Sequence, residues 1–377
     1  MIERNDILME IRNCLAHYPV VAVLGPRQCG KTTLARLLME TNTSNYFDLE
    51  DPVVANIFEN PMTALRDLRG LVVIDEAQQQ PGLFPVLRVL SDRPDRPATF
   101  CILGSASPSL SRQASESLAG RVALIEMGGF GIEEIAQSEW PDLWHRGGFP
   151  RSFLAQSDAE SHRWRKNFIQ TFLKRDLASL GFGMSPKAMG RFWTMLSHYH
   201  GGTWNATETA NALGLAVNTV RGYLDALVET YMVRCLPPWF ENLGKRLVKS
   251  PKIYIRDSGL FHTLQGIAAP GDLQTHPKIG ASWEGYVLDN LIRSSDIEDP
   301  YFYGVHAGAE LDLFFIRGGR RYGVEIKRAD APRSRKGYPI LIRDLGLEHL
   351  YVVYPGDRSY PISDHITALP FGSNPFS

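Results

Sequence analysis

The run Gly25-Pro26-Arg27-Gln28-Cys29-Gly30-Lys31-Thr32 satisfies the pattern G-x-x-x-x-G-K-[ST] at every fixed position. Glycines at those positions let backbone N–H groups close around a phosphate, and the N-terminus of a following helix adds positive potential. Lys31 is then placed to reach the β and γ phosphates of ATP, and Thr32 to ligate Mg²⁺. The expected contact surface for the nucleotide runs from Gly25 through Thr33. A second stretch, Leu71-Val72-Val73-Ile74-Asp75-Glu76, leads four apolar residues into two acids. In this setting Asp75 would hold the water shell of Mg²⁺ and Glu76 would polarise the attacking water. A third, Thr99-Phe100-Cys101-Ile102-Leu103, ends in Gly104-Ser105, where Ser105 could sense the γ-phosphate or simply turn the chain.

Other carboxylates are spaced for metal chemistry near the C-terminus. Asp312 lies in an alternating run, Glu310-Leu311-Asp312-Leu313-Phe314-Phe315-Ile316, and Glu325-Ile326-Lys327 in the next one. Period-two alternation puts Glu325 and Lys327 on one strand face, and a hairpin through Gly318-Gly319 brings Asp312 beside them. Two carboxylates can hold Mg²⁺ through oxygen, and a lysine can position the nucleophile that the metal activates. Glu284, in Trp283-Glu284-Gly285-Tyr286, would add or orient a ligand from a preceding helix.

The elements that position these residues are legible in outline. Val20–Leu24 reads as a buried strand, and Leu34, Leu37 and Leu38 fall at helical spacing after the loop. Strands near 20–24, 45–49, 71–75, 99–104 and 121–126 alternate with helices, which predicts an open parallel α/β sheet. Gly147-Gly148-Phe149-Pro150 interrupts that pattern, and Trp164, Phe168, Phe172, Leu173 and Leu177 then recur as one helix face. Residues 203–255 read differently. A helix capped by Thr207 and a turn at Gly214-Leu215 lead to a second helix with Val217, Val220, Leu224, Leu227 and Val228 inward. Such a pair is similar to a helix-turn-helix unit, with Asn218 and Arg221 on the outer face. The strand 231–236 and the segment 247–255 would form a wing carrying Lys245, Arg246, Lys249 and Lys252. DNA contacts are expected from Asn218, Arg221, Lys245, Arg246 and Lys249.

Composition bounds the rest. The chain has 377 residues and a formal net charge of −1, so any nucleic-acid contact must come from local basic patches. No apolar run spans a bilayer, no secretory leader is apparent, and Cys14, Cys29, Cys101 and Cys235 form no C-x-x-C pair. A cytoplasmic protein with reduced thiols and no membrane partner is the expectation.

These motifs together resemble a family of prokaryotic AAA+ ATPases with a winged helix and a C-terminal PD-(D/E)XK nuclease-like domain. The residues that carry the resemblance are the loop Gly25–Thr32, Asp75-Glu76-Ala77-Gln78, Leu118-Ala119-Gly120-Arg121, Lys249-Ser250-Pro251-Lys252, and Asp312 with Glu325-Ile326-Lys327. Cys29 stands where an apolar residue is more usual. The resemblance implies a multidomain α/β protein: a parallel-sheet ATPase core over 1–146, a helical lid over 147–200, a winged helix over 201–270 and a nuclease-like domain over 271–377. It also implies a homo-oligomer, a hexamer among the candidate sizes, in which Arg121 completes a neighbour's ATP site. The leading expectation is an ATP-hydrolysing motor or remodeller acting on DNA, duplex or branched. An ATP-gated regulatory or assembly protein with a protein partner and an ATP-licensed, Mg²⁺-dependent nuclease remain open. A kinase for small substrates would leave the helix-turn-helix and the C-terminal elements without a role.

Overall fold

The computed structural model describes residues 2–39, 45–105, 116–240, 248–305 and 308–373. It forms two compact units, Met1–Phe130 with Glu229–Tyr231, and Gly131–Val228 with Met232–Ser377. No helix among the described residues is long and apolar enough to cross a membrane.

In the first unit β1 (Val20–Gly25), β2 (Tyr46–Asp48), β3 (Gly70–Asp75), β4 (Ala98–Ser105) and β5 (Val122–Glu126) form one parallel sheet in the order β2-β3-β4-β1-β5. All of β1 is buried, as a central strand covered on both faces must be. The helix Leu83–Ser91 covers one face with Leu83, Phe84, Leu87 and Leu90, an apolar stripe at helical spacing. Because every pairing is parallel, Gly25, Asp48, Asp75 and Ser105 all end strands at the same edge of the sheet. Ligands of open α/β sheets bind outside that carboxyl edge.

The second unit contains a small antiparallel sheet, order β6-β8-β7, made of β6 (Gly202–Thr203), β7 (Val233–Leu236) and β8 (Lys252–Ile255). Helices Pro186–Ser197, Ala206–Leu213 and Val217–Glu229 accompany it. The start of the second helix differs from expectation. Asn205, not Thr207, is its cap, and its side chain accepts from the N–H groups of Thr207 (2.9 Å) and Glu208 (3.3 Å). Likewise β7 starts at Val233 because Tyr231 has a positive φ of 59°, outside the strand region. On Val217–Glu229 the buried residues are Val220, Tyr223, Leu224, Ala226 and Leu227. Asn218 and Arg221 face solvent.

Alongside further helices, this unit also holds a six-stranded sheet, β13-β14-β12-β11-β10-β9. Its strands are β9 (Tyr301–Gly304), β10 (Glu310–Arg317), β11 (Arg320–Ile326), β12 (His349–Tyr354), β13 (Tyr360–Ser363) and β14 (Ile366–Pro370). The β9-β10-β11 meander is antiparallel, and the helix Tyr338–Leu345 then returns the chain so that β12 runs parallel to β11. Leu311, Phe314, Leu341, Leu345, Leu350 and Val352 share one core.

The helix Ile279–Ser294 comes unusually close to β8, and Gly285 allows it. A Cβ there would stand 2.2 Å from His200 Nε2 and 3.2 Å from the Tyr254 ring. His200 cannot give way easily: its Nδ1 accepts from the N–H of Ile255 at 3.0 Å and its ring lies 4.1 Å from that of Phe261. Gly285→Ala should therefore lower the urea midpoint, at a net cost of about 1–3 kcal/mol. Helix propensity alone would favour alanine by about 1 kcal/mol, so an unchanged or raised midpoint would show that the ring moves aside.

Candidate nucleotide site and a second acidic centre

The loop after β1 has the backbone its sequence predicts. Gln28 (φ 64°) and Gly30 (φ 102°) are both left-handed, which turns successive N–H groups toward one concavity. The helix Lys31–Leu38 starts directly after it. Lys31 is 5% exposed, and its Nζ donates to the carbonyls of Gly25 (3.0 Å) and Pro26 (2.8 Å), folding the ammonium over the loop. Cys29 is fully buried with Sγ 3.4 Å from the Met127 carbonyl, and Thr33 is exposed in the first helical turn. Arg27 pairs with Glu50 at 2.8 Å.

Asp75 is the hub of the site. Its Oδ2 accepts from Thr32 Oγ1 at 2.6 Å and from Tyr46 Oη at 2.7 Å, while Oδ1 accepts from the N–H of Glu76 at 2.9 Å. Three donors fix a carboxylate that is 2% exposed. The threonine hydroxyl and the aspartate expected around Mg²⁺ are therefore side by side, and this donor set fits the ion. Glu76 follows at a left-handed φ of 53°, which swings its side chain away from the strand direction, and its carboxylate accepts from the Gln78 amide. Burial pushes its pKa up, against the lowering effect of Gln78 and Lys31. Ser105, in register with Gly25 across β4 and β1, is buried, and its Oγ finds no hydrogen-bond partner among the described residues. An orphaned hydroxyl at the ligand edge is a donor waiting for an acceptor.

Arg121 sits elsewhere. It precedes β5, at the sheet edge opposite the phosphate loop, and forks onto Asp92 with contacts of 2.7 and 2.9 Å. It does not reach the nucleotide loop of its own chain.

The C-terminal set is brought together. Leu313 pairs with Val324, so the next step along the hairpin places Asp312 abreast of Glu325. Asp312 Oδ2 accepts from the N–H of Ile326 at 2.8 Å, and Lys327 Nζ lies 2.8 Å from Glu325 and 3.6 Å from Asp312. Glu284 joins from its helix, and sequence reasoning missed what surrounds it. Lys252 Nζ lies 3.3 Å from Glu284, 2.5 Å from Glu310 and 3.6 Å from Asp312, and Tyr254 Oη donates to Glu284 at 2.7 Å. Burial, and then the Asp312 carboxylate, push Glu284 and Glu325 up to about 7.

One expectation needs correction here. Lys252, counted with the basic wing, is 3% exposed and spent on carboxylates, so it offers nothing to a phosphate backbone. Lys249 is exposed, and Lys245 and Arg246 lie outside the described residues. The carboxylates expected to hold a second Mg²⁺, Asp312, Glu325 and Glu284, are each engaged by a lysine ammonium in this structure. Among the described residues no group of three or more such ligands is poised around one point. One feature favours a cation: Glu325 Oε2 is buried without a hydrogen-bond partner among the described residues. Against it, both oxygens of Asp312 already face ammonium groups.

Tyr46 was missed as well. A tyrosine on a short edge strand gives no signal until the strands are laid side by side.

Residues 17–136 match a family model described as an AAA domain. Residues 137–271 and 279–373 match two domains of unknown function, DUF8612 and DUF4143. Over 370 residues the chain is 49% identical to uncharacterized protein Mb2031c of Mycobacterium bovis, covering 98% of this chain and 84% of that one. The same figures hold for uncharacterized protein Rv2008c of Mycobacterium tuberculosis. Among solved structures it is similar to the Walker-type ATPase PABY2304 of Pyrococcus abyssi, at 13% identity and a TM-score of 0.49, over 70% of this chain and 96% of that one.

Proposed function

The chain belongs to the family of the uncharacterized mycobacterial proteins Mb2031c and Rv2008c, and from that premise we propose that it is a Mg²⁺-dependent ATPase that acts on DNA as a homo-oligomer. Its first unit is a P-loop ATPase domain of the AAA type. The observation that carries the chemistry is the convergence of Thr32, Tyr46 and the Glu76 N–H on Asp75 beside the phosphate loop.

Thr32 and Asp75 would hold Mg²⁺, which when bound neutralises charge across the β and γ phosphates. Lys31 exchanges its two loop carbonyls for phosphate oxygens. Ser105 donates its unpartnered hydroxyl to the γ-phosphate. Glu76 accepts a hydrogen bond from the attacking water and orients it, and its raised pKa brings it closer to the pH at which a base works best. Tyr46 acts through Asp75 as a positioning residue. Arg121 acts on a neighbouring subunit, and its fork must leave Asp92 to do so.

For the DNA reading, the second unit offers helices Ala206–Leu213 and Val217–Glu229 beside a three-stranded sheet, an arrangement in keeping with a winged helix. Asn218 and Arg221 are its exposed contacts and Lys249 its flanking cation. ATP turnover should rise with duplex or branched DNA at low salt and lose that stimulation as salt increases. Arg221→Ala should weaken the stimulation and leave the DNA-free rate alone. Failure of duplex, single-stranded and branched DNA all to bind at low salt would remove DNA from the reading. One observation then favours an assembly protein with a protein partner: the outer helix face exposes an acid, Asp225, as well as Arg221, and Lys252 is withdrawn from the wing.

A further inference from the structure

The acidic centre of the second unit carries a cation of its own. Lys252 comes from β8, the middle strand of the small sheet, and its ammonium ends among Glu284 of the Ile279–Ser294 helix and Glu310 and Asp312 of β10. Its position is over-determined. Tyr254, two residues along the same strand face, holds Glu284 from the other side, and the Phe302 ring lies 5.6 Å from Nζ. The side chain is 3% exposed, so these groups replace its water almost entirely. Across the centre Lys327 takes Glu325 and the second oxygen of Asp312.

A hard divalent cation needs several of these oxygens at about 2.0–2.6 Å. An ammonium held among the same oxygens repels such an ion at close range and keeps the carboxylates splayed around itself. In a buried setting of low dielectric neither effect is screened away. Removing the lysine would leave three carboxylates facing one another, an arrangement that attracts a cation strongly.

We propose that Lys252 is the built-in cation of this centre: it occupies the space between Glu284 and Asp312 that a divalent metal would need, and so closes the centre to Mg²⁺. The centre then supports no metal-dependent cutting, and Lys252 ties the small sheet to the large one. The proposal stands apart from the ATPase reading, since none of its residues belongs to the phosphate loop or its acids.

The test is uptake of Mn²⁺ by the full chain without nucleotide, with free Mn²⁺ read by electron paramagnetic resonance. Wild type and Asp312→Asn should take up equal amounts, because the centre holds no metal to lose. Lys252→Met should take up an additional ion per chain, and Lys252→Met combined with Asp312→Asn should lose it again. A site in wild type that disappears with Asp312→Asn overturns the proposal. So does a folded Lys252→Met that gains nothing. Should Lys252→Met not fold, the wild-type and Asp312→Asn comparison still decides, since it uses no change at Lys252.

Discussion

Glu76→Gln is expected to bind ATP within a few-fold of wild type and to lose turnover by about 10²–10⁴-fold, the range for removal of a positioned base. The substitution is nearly isosteric. The backbone of Glu76 is pinned by its own N–H to Asp75 and by a left-handed φ of 53°, neither of which depends on the side-chain charge. The side-chain oxygen can still accept from Gln78. Thr32, Tyr46 and Lys31 keep their partners, so the groups that hold phosphate and Mg²⁺ are untouched. What disappears is the carboxylate's capacity to take a proton from water. Binding is read by titration with a fluorescent ATP analogue and turnover by phosphate release. Undiminished turnover would reject Glu76 as the base. Equal loss of binding would mean that the change had disturbed the loop.

Asp289→Asn should destabilise the second unit by about 3–5 kcal/mol, the cost of breaking a buried ion cluster by removing one sign of charge. Asp289 lies within 2.7–3.1 Å of Arg234 and Arg256 and 3.8 Å of Arg293. Its side chain is 11% exposed, and those of the three arginines 10–18%. Burial works against its charge, and Arg256, Arg234 and Arg293 more than reverse that, holding the carboxyl well below its ordinary 3.8. The sign follows from that depression. Its stabilisation is fully present above 3.8 and is lost as acid carries the pH down through the lower folded value, and the Asp289→Asn variant would lack this part of the acid dependence. Urea unfolding followed by tryptophan fluorescence isolates the effect, because all seven tryptophans belong to the second unit. A midpoint shift worth less than about 1 kcal/mol would place the cluster among weak surface pairs.

The two centres were legible to different degrees, for a physical reason. The phosphate loop is a contiguous motif. Its glycine permits the left-handed turn, its lysine and threonine follow on the helix, and these local steric facts hold in any fold that places a strand before it. The Asp75-Glu76 pair is contiguous too, at the end of an apolar run that reads as a buried parallel strand once a phosphate loop precedes it. The alternation of strands and helices likewise announced the parallel sheet, and the spacing of Glu325 and Lys327 announced a shared strand face with Asp312 on the adjoining strand. Lys252 shows where such reading stops. In the sequence it is one more cation in a basic stretch, indistinguishable from Lys249 three residues before it.

The sequence by itself determined the ATP-binding loop, the acids that follow it and the sheet that carries both, because those depend on short-range backbone geometry and on hydrophobic period. Only the tertiary structure decided that Tyr46 backs Asp75, that the Ser105 hydroxyl reaches the ligand edge with no partner among the described residues, and that Lys252 is buried among acids rather than exposed to phosphate. Each of these depends on which charge or hydroxyl loses its water and which distant residue replaces it. Burial is a property of packed elements, and no local pattern records it.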